Sequence, residues 1–141
     1  MISVGIPAGG FKTVGQLVGT NGVTFRTGQT ALAVAIEMLS AHISGAPVVD
    51  PAGACVGFIS EVDILKTLDA KHDLLSVKAE DIMTKLPIAV RPSTTIAEAV
   101  KLMEDHHVLN LPVERDGKIL FTLTRHDLLR ALIGIGMGIE E

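Results

Sequence analysis

The sequence predicts an α+β fold: one β-α-β-β-α unit written twice, the two copies packed sheet to sheet about a pseudo-twofold axis. Three observations predict it. The chain repeats itself at a spacing of 64 to 65 residues, each copy carries an apolar pattern of helical period between strand-like runs, and each holds turn residues where a hairpin must reverse. Val23 to Leu68 matches Ile88 to Leu132; Ser60 pairs with Thr124, Asp63 with Asp127, and Pro47 with Pro112 one residue out of step.

Taken in order, each copy opens on a short lead-in, Val14-Gly15-Gln16-Leu17-Val18 or Ala79-Glu80-Asp81-Ile82-Met83, which reads as a brief helix and is weaker in the glycine-bearing first copy. A β-type run follows, Val23-Thr24-Phe25 or Ile88-Ala89-Val90. Next comes a helix whose apolar residues fall at i, i+3, i+4 and i+7, as Leu32, Ala35, Ile36 and Leu39 or as Ile96, Ala99, Val100 and Met103, so both helices are expected to bury the same face. In Ala46-Pro47-Val48-Val49 and Leu111-Pro112-Val113-Glu114 a proline stands where a strand begins. Asp50-Pro51-Ala52-Gly53 and Arg115-Asp116-Gly117 are turn chemistry and mark a hairpin. Its second arm, Cys55 to Ile59 or Ile119 to Leu123, runs into Ser60 or Thr124. A closing helix then presents Ile64, Leu65 and Leu68 or Leu128, Leu129 and Leu132. The organisation expected is residues 1–12 as a flexible N-terminal tail, 13–68 as the first repeat, 69–78 as a linker, 79–133 as the second repeat and 134–141 as a flexible C-terminal tail.

Bulk properties narrow the function classes. With 48% hydrophobic and 20% charged residues in 141, there is more apolar surface than a monomer of this size easily buries, and an oligomer is expected. No apolar stretch reaches the ~20 residues that span a bilayer, and no signal sequence is read at the N-terminus, so a cytoplasmic protein without membrane attachment is expected. Lys plus Arg total 12 against 16 Asp plus Glu, a net charge of -4, and no basic stripe is present to follow a phosphate backbone, which argues against nucleic acid. The single cysteine, Cys55, excludes an intrachain disulfide and reads as a buried small side chain. Without Trp or Tyr, and with four Phe, a planar ligand would be held by aliphatic groups.

Chemistry is expected where the hairpin meets the closing helix. In Phe58-Ile59-Ser60-Glu61-Val62-Asp63 the strand ends on an N-cap residue, and an acid follows in the first turn; Thr122-Leu123-Thr124-Arg125-His126-Asp127 repeats the arrangement. Unsatisfied N–H groups at a helix start, with a hydroxyl beside them, suit a phosphate. An aspartate on the same side can accept two hydrogen bonds from a vicinal diol such as that of ribose. The same spacing is also that of a capping box, which needs no ligand; its repetition at matched positions favours the functional reading.

The run Ala46-Pro47-Val48-Val49-Asp50, the run Gly57-Phe58-Ile59-Ser60-Glu61-Val62-Asp63-Ile64-Leu65 and the lead-in Asp81-Ile82-Met83-Thr84 resemble cystathionine-β-synthase (CBS) domains, over about Val14 to Leu132. Two such domains form a Bateman module. The resemblance implies a regulatory module that binds AMP, ADP, ATP or S-adenosylmethionine in clefts between the repeats and signals conformationally. It carries the family's hydroxyl position onto Ser60 and Thr124, facing phosphate, and its aspartate onto Asp63 and Asp127, facing ribose. Base-holding positions fall on Val23, Thr24, Ala46 and Val48 in one copy, and on Ile88, Ala89, Leu111 and Val113 in the other. The motif glycine is Gly57 in the first copy but Phe121 in the second, where a ring could narrow the cleft. Arg125 and His126 stand where the first copy has Glu61 and Val62. Coulomb attraction of about 1 to 4 kcal/mol at surface dielectrics then predicts unequal occupancy, with AMP or ATP favoured at the Thr124/Asp127 corner and a less anionic adenosyl ligand, or none, at Ser60/Asp63.

Other signals are set aside. His106 and His107 are adjacent, and His42 aligns with His106, but neighbours on a helix point about 100° apart and cannot share one metal ion. No Gly-x-Ser-x-Gly is present, and Ser60 and His126 belong to different copies, so neither hydrolase chemistry nor any other catalysis is expected. Arg26 and Arg91 match across the repeat and read equally as phosphate contacts or solvated side chains. The expectation is therefore a non-enzymatic sensor with an adenosyl ligand, no metal and no cofactor. It would form a homodimer as a flat four-unit disc and act on a separate regulated protein. The alternative is a ligand-free dimerisation or scaffold module.

Overall fold

In the computed structural model, which describes residues 11–85 and 87–133, the repeat is realised as two units that each contain a piece of both copies. One unit comprises residues 23–88 with 116–119, and the other the remaining residues up to 22, 89–115 and those from 120 onward. The expected tails lie almost wholly outside the described residues.

The first unit is built on a four-stranded sheet of order β1-β2-β3-β4, formed by Phe25–Arg26, Gly45–Val49, Cys55–Ser60 and Thr84–Lys85. β1 runs parallel to β2, and the other pairings are antiparallel. The first strand starts two residues later than the Val23-Thr24-Phe25 run suggested. Helix α1 (Ala31–Ala41) starts at Thr30, whose hydroxyl accepts the Ala33 N–H at 3.1 Å. Helix α2 (Glu61–Asp69) closes the unit, and the short α3 (Ala79–Ile82) precedes β4. Phe25, Val34, Met38, Ala46, Val48, Ile59, Ile64 and Ala79 form the core.

The second unit repeats this plan. A one-turn 3-10 helix at Val14–Gln16 stands in the place of α3, and α4 (Ile96–His106), β5 (Asn110–Arg115), β6 (Lys118–Thr124) and α5 (Arg125–Ile133) follow. Val90 bridges Val113 in parallel as Phe25 does Val48, and Asn21 bridges Thr122 antiparallel, so the flanking strands are reduced to single bridges. At Thr95 the capping box is complete: Thr95 Oγ1 accepts the Glu98 N–H at 3.0 Å and Glu98 Oε1 the Thr95 N–H at 2.9 Å.

The lead-in segments are exchanged between the copies. Residues 79–85 complete the first repeat's sheet through Gly57↔Lys85 and Phe58↔Thr84, while the segment before Val23 completes the second's. The stretch expected to be a plain linker helps start α1: the Ala31 and Leu32 N–H groups donate to the carbonyls of Val77 and Leu74 at 2.8 and 3.1 Å. Lys12 does the same for Ile96 at 2.9 Å.

Two sequence readings are corrected. The face of α1 that is buried is Ala31, Val34 and Met38, while Ile36 and Leu39 are exposed. The second copy buries Ile96, Ala99 and Met103 as expected, so the register is Ala31 with Ile96, one residue from the pairing the periodicity suggested. His42 accordingly aligns with His107: both are left-handed C-caps, with φ of 56° and 54°. The slip from 65 to 64 residues falls in the hairpin turn. Asp116 and Gly117, at φ 52° and 80°, make a two-residue turn in the second copy. The longer first turn is held by Asp50 Oδ1, which accepts the Ala52 and Ala54 N–H groups, each at 2.9 Å. Of the leucines and isoleucines matched on the closing helices, Ile64 and Leu128 are buried and Leu65, Leu68, Leu129 and Leu132 are exposed.

Candidate ligand-binding site

Each unit holds one strand-to-helix corner. At the first, β3 delivers Ser60 in extended conformation, φ -113° and ψ 170°, and α2 begins at the next residue. The Glu61 N–H is taken by the Ser44 carbonyl at 3.0 Å. The Ser60 N–H donates to Asp63 Oδ2 at 2.8 Å, and the Ser60 hydroxyl donates to the same oxygen at 3.2 Å. Asp63 is half-buried, and its Oδ1 accepts no hydrogen bond from a described residue. A hydroxyl and a carboxylate with an open oxygen thus share the start of a helix, where backbone N–H groups favour negative charge.

The second corner has the same backbone but a different occupancy. Arg125 N–H donates to the Leu109 carbonyl at 3.1 Å, as Glu61 does to Ser44. The box is reciprocal: Thr124 N–H donates to Asp127 Oδ2 at 3.0 Å, and Asp127 N–H to Thr124 Oγ1 at 3.1 Å. The remaining carboxylate oxygen, Oδ1, accepts the hydroxyl of Thr20 at 2.9 Å. Asp127 is 0% exposed. Arg125 and His126 are exposed, as is Glu61 at the first corner, so the charge contrast is placed as expected while the carboxylate is shut.

The other expected site residues divide by burial. Ala46 and Val48 are wholly buried in the first unit's core, and Leu111 and Val113 are wholly buried in β5. Their side chains are packing, and what they leave for a ligand is backbone. Val23 and Ala89 are half-buried and Thr24 is exposed. Ile88 is half-buried as well. Arg26 and Arg91 are exposed. Cys55, expected buried, is half-buried. Among the described residues no group of three His, Cys, Asp or Glu could hold a metal ion, and no helix is long and apolar enough to cross a membrane.

Sequence reasoning missed Thr20, which is 107 residues from its partner Asp127. It also missed the packing of the lead-in segments. A Cβ on Gly57 would stand 2.3 Å from Met83 Sδ, and one on Gly19 would stand 2.1 Å from Phe121 Cδ2. In one unit the hairpin residue is the small partner and the lead-in residue the large one; in the other the sizes are reversed. The departure from the motif glycine at Phe121 is therefore compensated at Gly19.

Comparison with known proteins extends this picture. An uncharacterized protein of Methanocaldococcus jannaschii is 35% identical over 124 residues, covering 64% of this chain and 74% of its own. CBSX2, a chloroplastic CBS domain-containing protein of Arabidopsis thaliana, is matched over 59% of its full length. Its crystal structure in complex with AMP superposes with a TM-score of 0.75 at 29% identity, over 89% of this chain and 98% of that one. The CBS domain pair of protein MJ0100, solved with 5′-methylthioadenosine and S-adenosyl-L-methionine, gives a TM-score of 0.78 at 22% identity, over 88% and 98%, and speaks to the fold. Residues 14–70 and 79–134 each match the CBS domain, and the α+β architecture is that of a CBS domain pair, so the chain belongs to the CBS-domain family and carries its domain twice in tandem.

Proposed function

We propose that this chain is a regulatory module that binds an adenosine-containing ligand (AMP, ADP, ATP or S-adenosylmethionine) and transmits the binding as a change of shape to a separate protein. The first corner is the open one. There the Ser60 hydroxyl and the helix start face the phosphate or its equivalent, and Asp63 accepts the ribose diol. The base lies along the backbone of Ala46 and Val48 beside Val23 and Thr24. The observation that carries this reading is the half-buried Asp63 carboxylate with one oxygen left open beside a hydroxyl-capped helix. It is supported by a relative of 29% identity whose structure contains AMP. The second corner, Thr124 and Asp127 with Arg125, His126, Ile88, Ala89, Leu111 and Val113, is the lesser site.

Sensing requires that the ligand bind one shape more tightly than another, since equal affinity shifts nothing. The same module is proposed to work as a homodimer, because Leu65, Leu68, Leu129 and Leu132 leave an apolar face on both closing helices.

A second reading, a ligand-free scaffold, is favoured by one observation: both aspartates already cap their helices. Thermal denaturation with AMP, ADP, ATP and S-adenosylmethionine separates the two. A ligand at 100 times its Kd adds about 2.7 kcal/mol, so at least one of the four is expected to raise Tm by several degrees. A Tm unmoved by all four at millimolar concentration leaves the scaffold.

A further inference from the structure

The two corners, alike in backbone, differ in what meets the carboxylate. Among the described residues the only side-chain hydroxyl on Asp63 is that of Ser60, its own cap. On Asp127 the Thr124 hydroxyl accepts the backbone N–H instead, and the hydroxyl on the carboxylate comes from Thr20 at 2.9 Å. That contact is built. The Asn21 carbonyl, next along the chain, accepts the Thr122 N–H at 2.8 Å, and Gly19, on the other side, lies against the Phe121 ring so closely that no side chain fits. Thr20 is itself exposed and is held over Asp127 by its two neighbours.

Resting on the functional reading above, we propose that the Thr20 hydroxyl occupies on Asp127 the position a ribose hydroxyl takes, and that Thr20 is the residue setting the selectivity of the second corner. A ligand seats there by exchanging its own hydroxyl for that of Thr20. One alcohol donor replaces another on the same carboxylate oxygen, so the exchange gains little, and the apparent affinity is scaled down to the fraction of chains in which the Thr20 side chain has turned off the carboxylate. Among the described residues the first corner has no such competitor. One chain sequence therefore carries a high-affinity and a self-occupied site for the same ligand.

Calorimetric titration of the full chain with AMP tests this. Wild type is expected to take one AMP per chain tightly, with Asp63→Asn abolishing that event. Thr20→Ala is expected to tighten AMP at the second corner by about tenfold or more, equivalent to about 1.4 kcal/mol. The Asp63→Asn/Thr20→Ala double variant then retains one AMP per chain. Thr20→Ser keeps the hydroxyl and should behave as wild type, which separates the hydroxyl from any effect on folding. If Thr20→Ala leaves second-site binding unchanged or weaker while the first site binds normally, the competitor role is overturned and the functional reading stands. If no variant binds AMP, ADP, ATP or S-adenosylmethionine, both fall.

Discussion

A carboxylate in the first turn of a helix can serve the backbone and a ligand together, and the two corners divide that work differently. Thr124 Oγ1 accepts the Asp127 N–H, whereas the Ser60 hydroxyl donates to Asp63. Loss of an N-cap hydroxyl costs about 1 kcal/mol. Thr124→Ala is therefore expected to lower unfolding stability by about that amount and Ser60→Ala by less, as urea midpoints would record; equal losses would mean the two caps are equivalent. Two residues earlier on β6, the Thr122 hydroxyl is buried without a hydrogen-bond partner among the described residues. Leaving such a group unsatisfied costs about 1–3 kcal/mol. Thr122→Val should raise stability by about 1 kcal/mol in the same assay, and a loss would show that the hydroxyl has a partner. Ser60, Asp63, Thr124 and Asp127 were legible in the sequence because a cap and its acid are three residues apart and the pattern occurs twice. Thr20 was not, because its only link to Asp127 is through the folded chain.

At the scale of elements, the hairpins and the two helices of each copy were legible in the repeat, while the face of α1 was not. Its apolar residues surround most of the helix, so periodicity alone could not choose between Ile36 and Leu39, which are exposed, and Val34 and Met38, which are buried. The choice is made by the caps: Thr30 and His42 fix the same register as Thr95 and His107. The small-to-large exchange between Gly57 with Met83 and Gly19 with Phe121 also lies beyond a sequence reading, because its partners sit on different elements. It carries its own test. Gly19→Ala places a methyl against a rigid ring and is expected to cost about 1–3 kcal/mol. Adding Phe121→Gly should recover part of that loss in a double-mutant cycle. Additive effects would show that the two residues do not share the space.

For the whole molecule, composition indicated more apolar surface than the chain could bury, and the structure locates part of the excess. Leu65 and Leu129 match across the repeat and are 62% and 56% exposed. Changing both to Asp should convert a dimer to a monomer by light scattering without loss of helical signal; a wild-type monomer would leave that face for a different partner. Through the exchange of lead-in segments, each unit draws on both copies in the sequence. No local pattern announced this exchange, since a repeat alignment matches like with like and cannot say which copy a segment joins. Discrimination by the first corner between AMP and 2′-deoxy-AMP bears most directly on the role given to Asp63. Wild type should bind AMP about tenfold more tightly than the deoxy ligand, and Asp63→Asn should bind both equally and weakly. Equal affinities in wild type, or discrimination that survives Asp63→Asn, would contradict the ribose clamp.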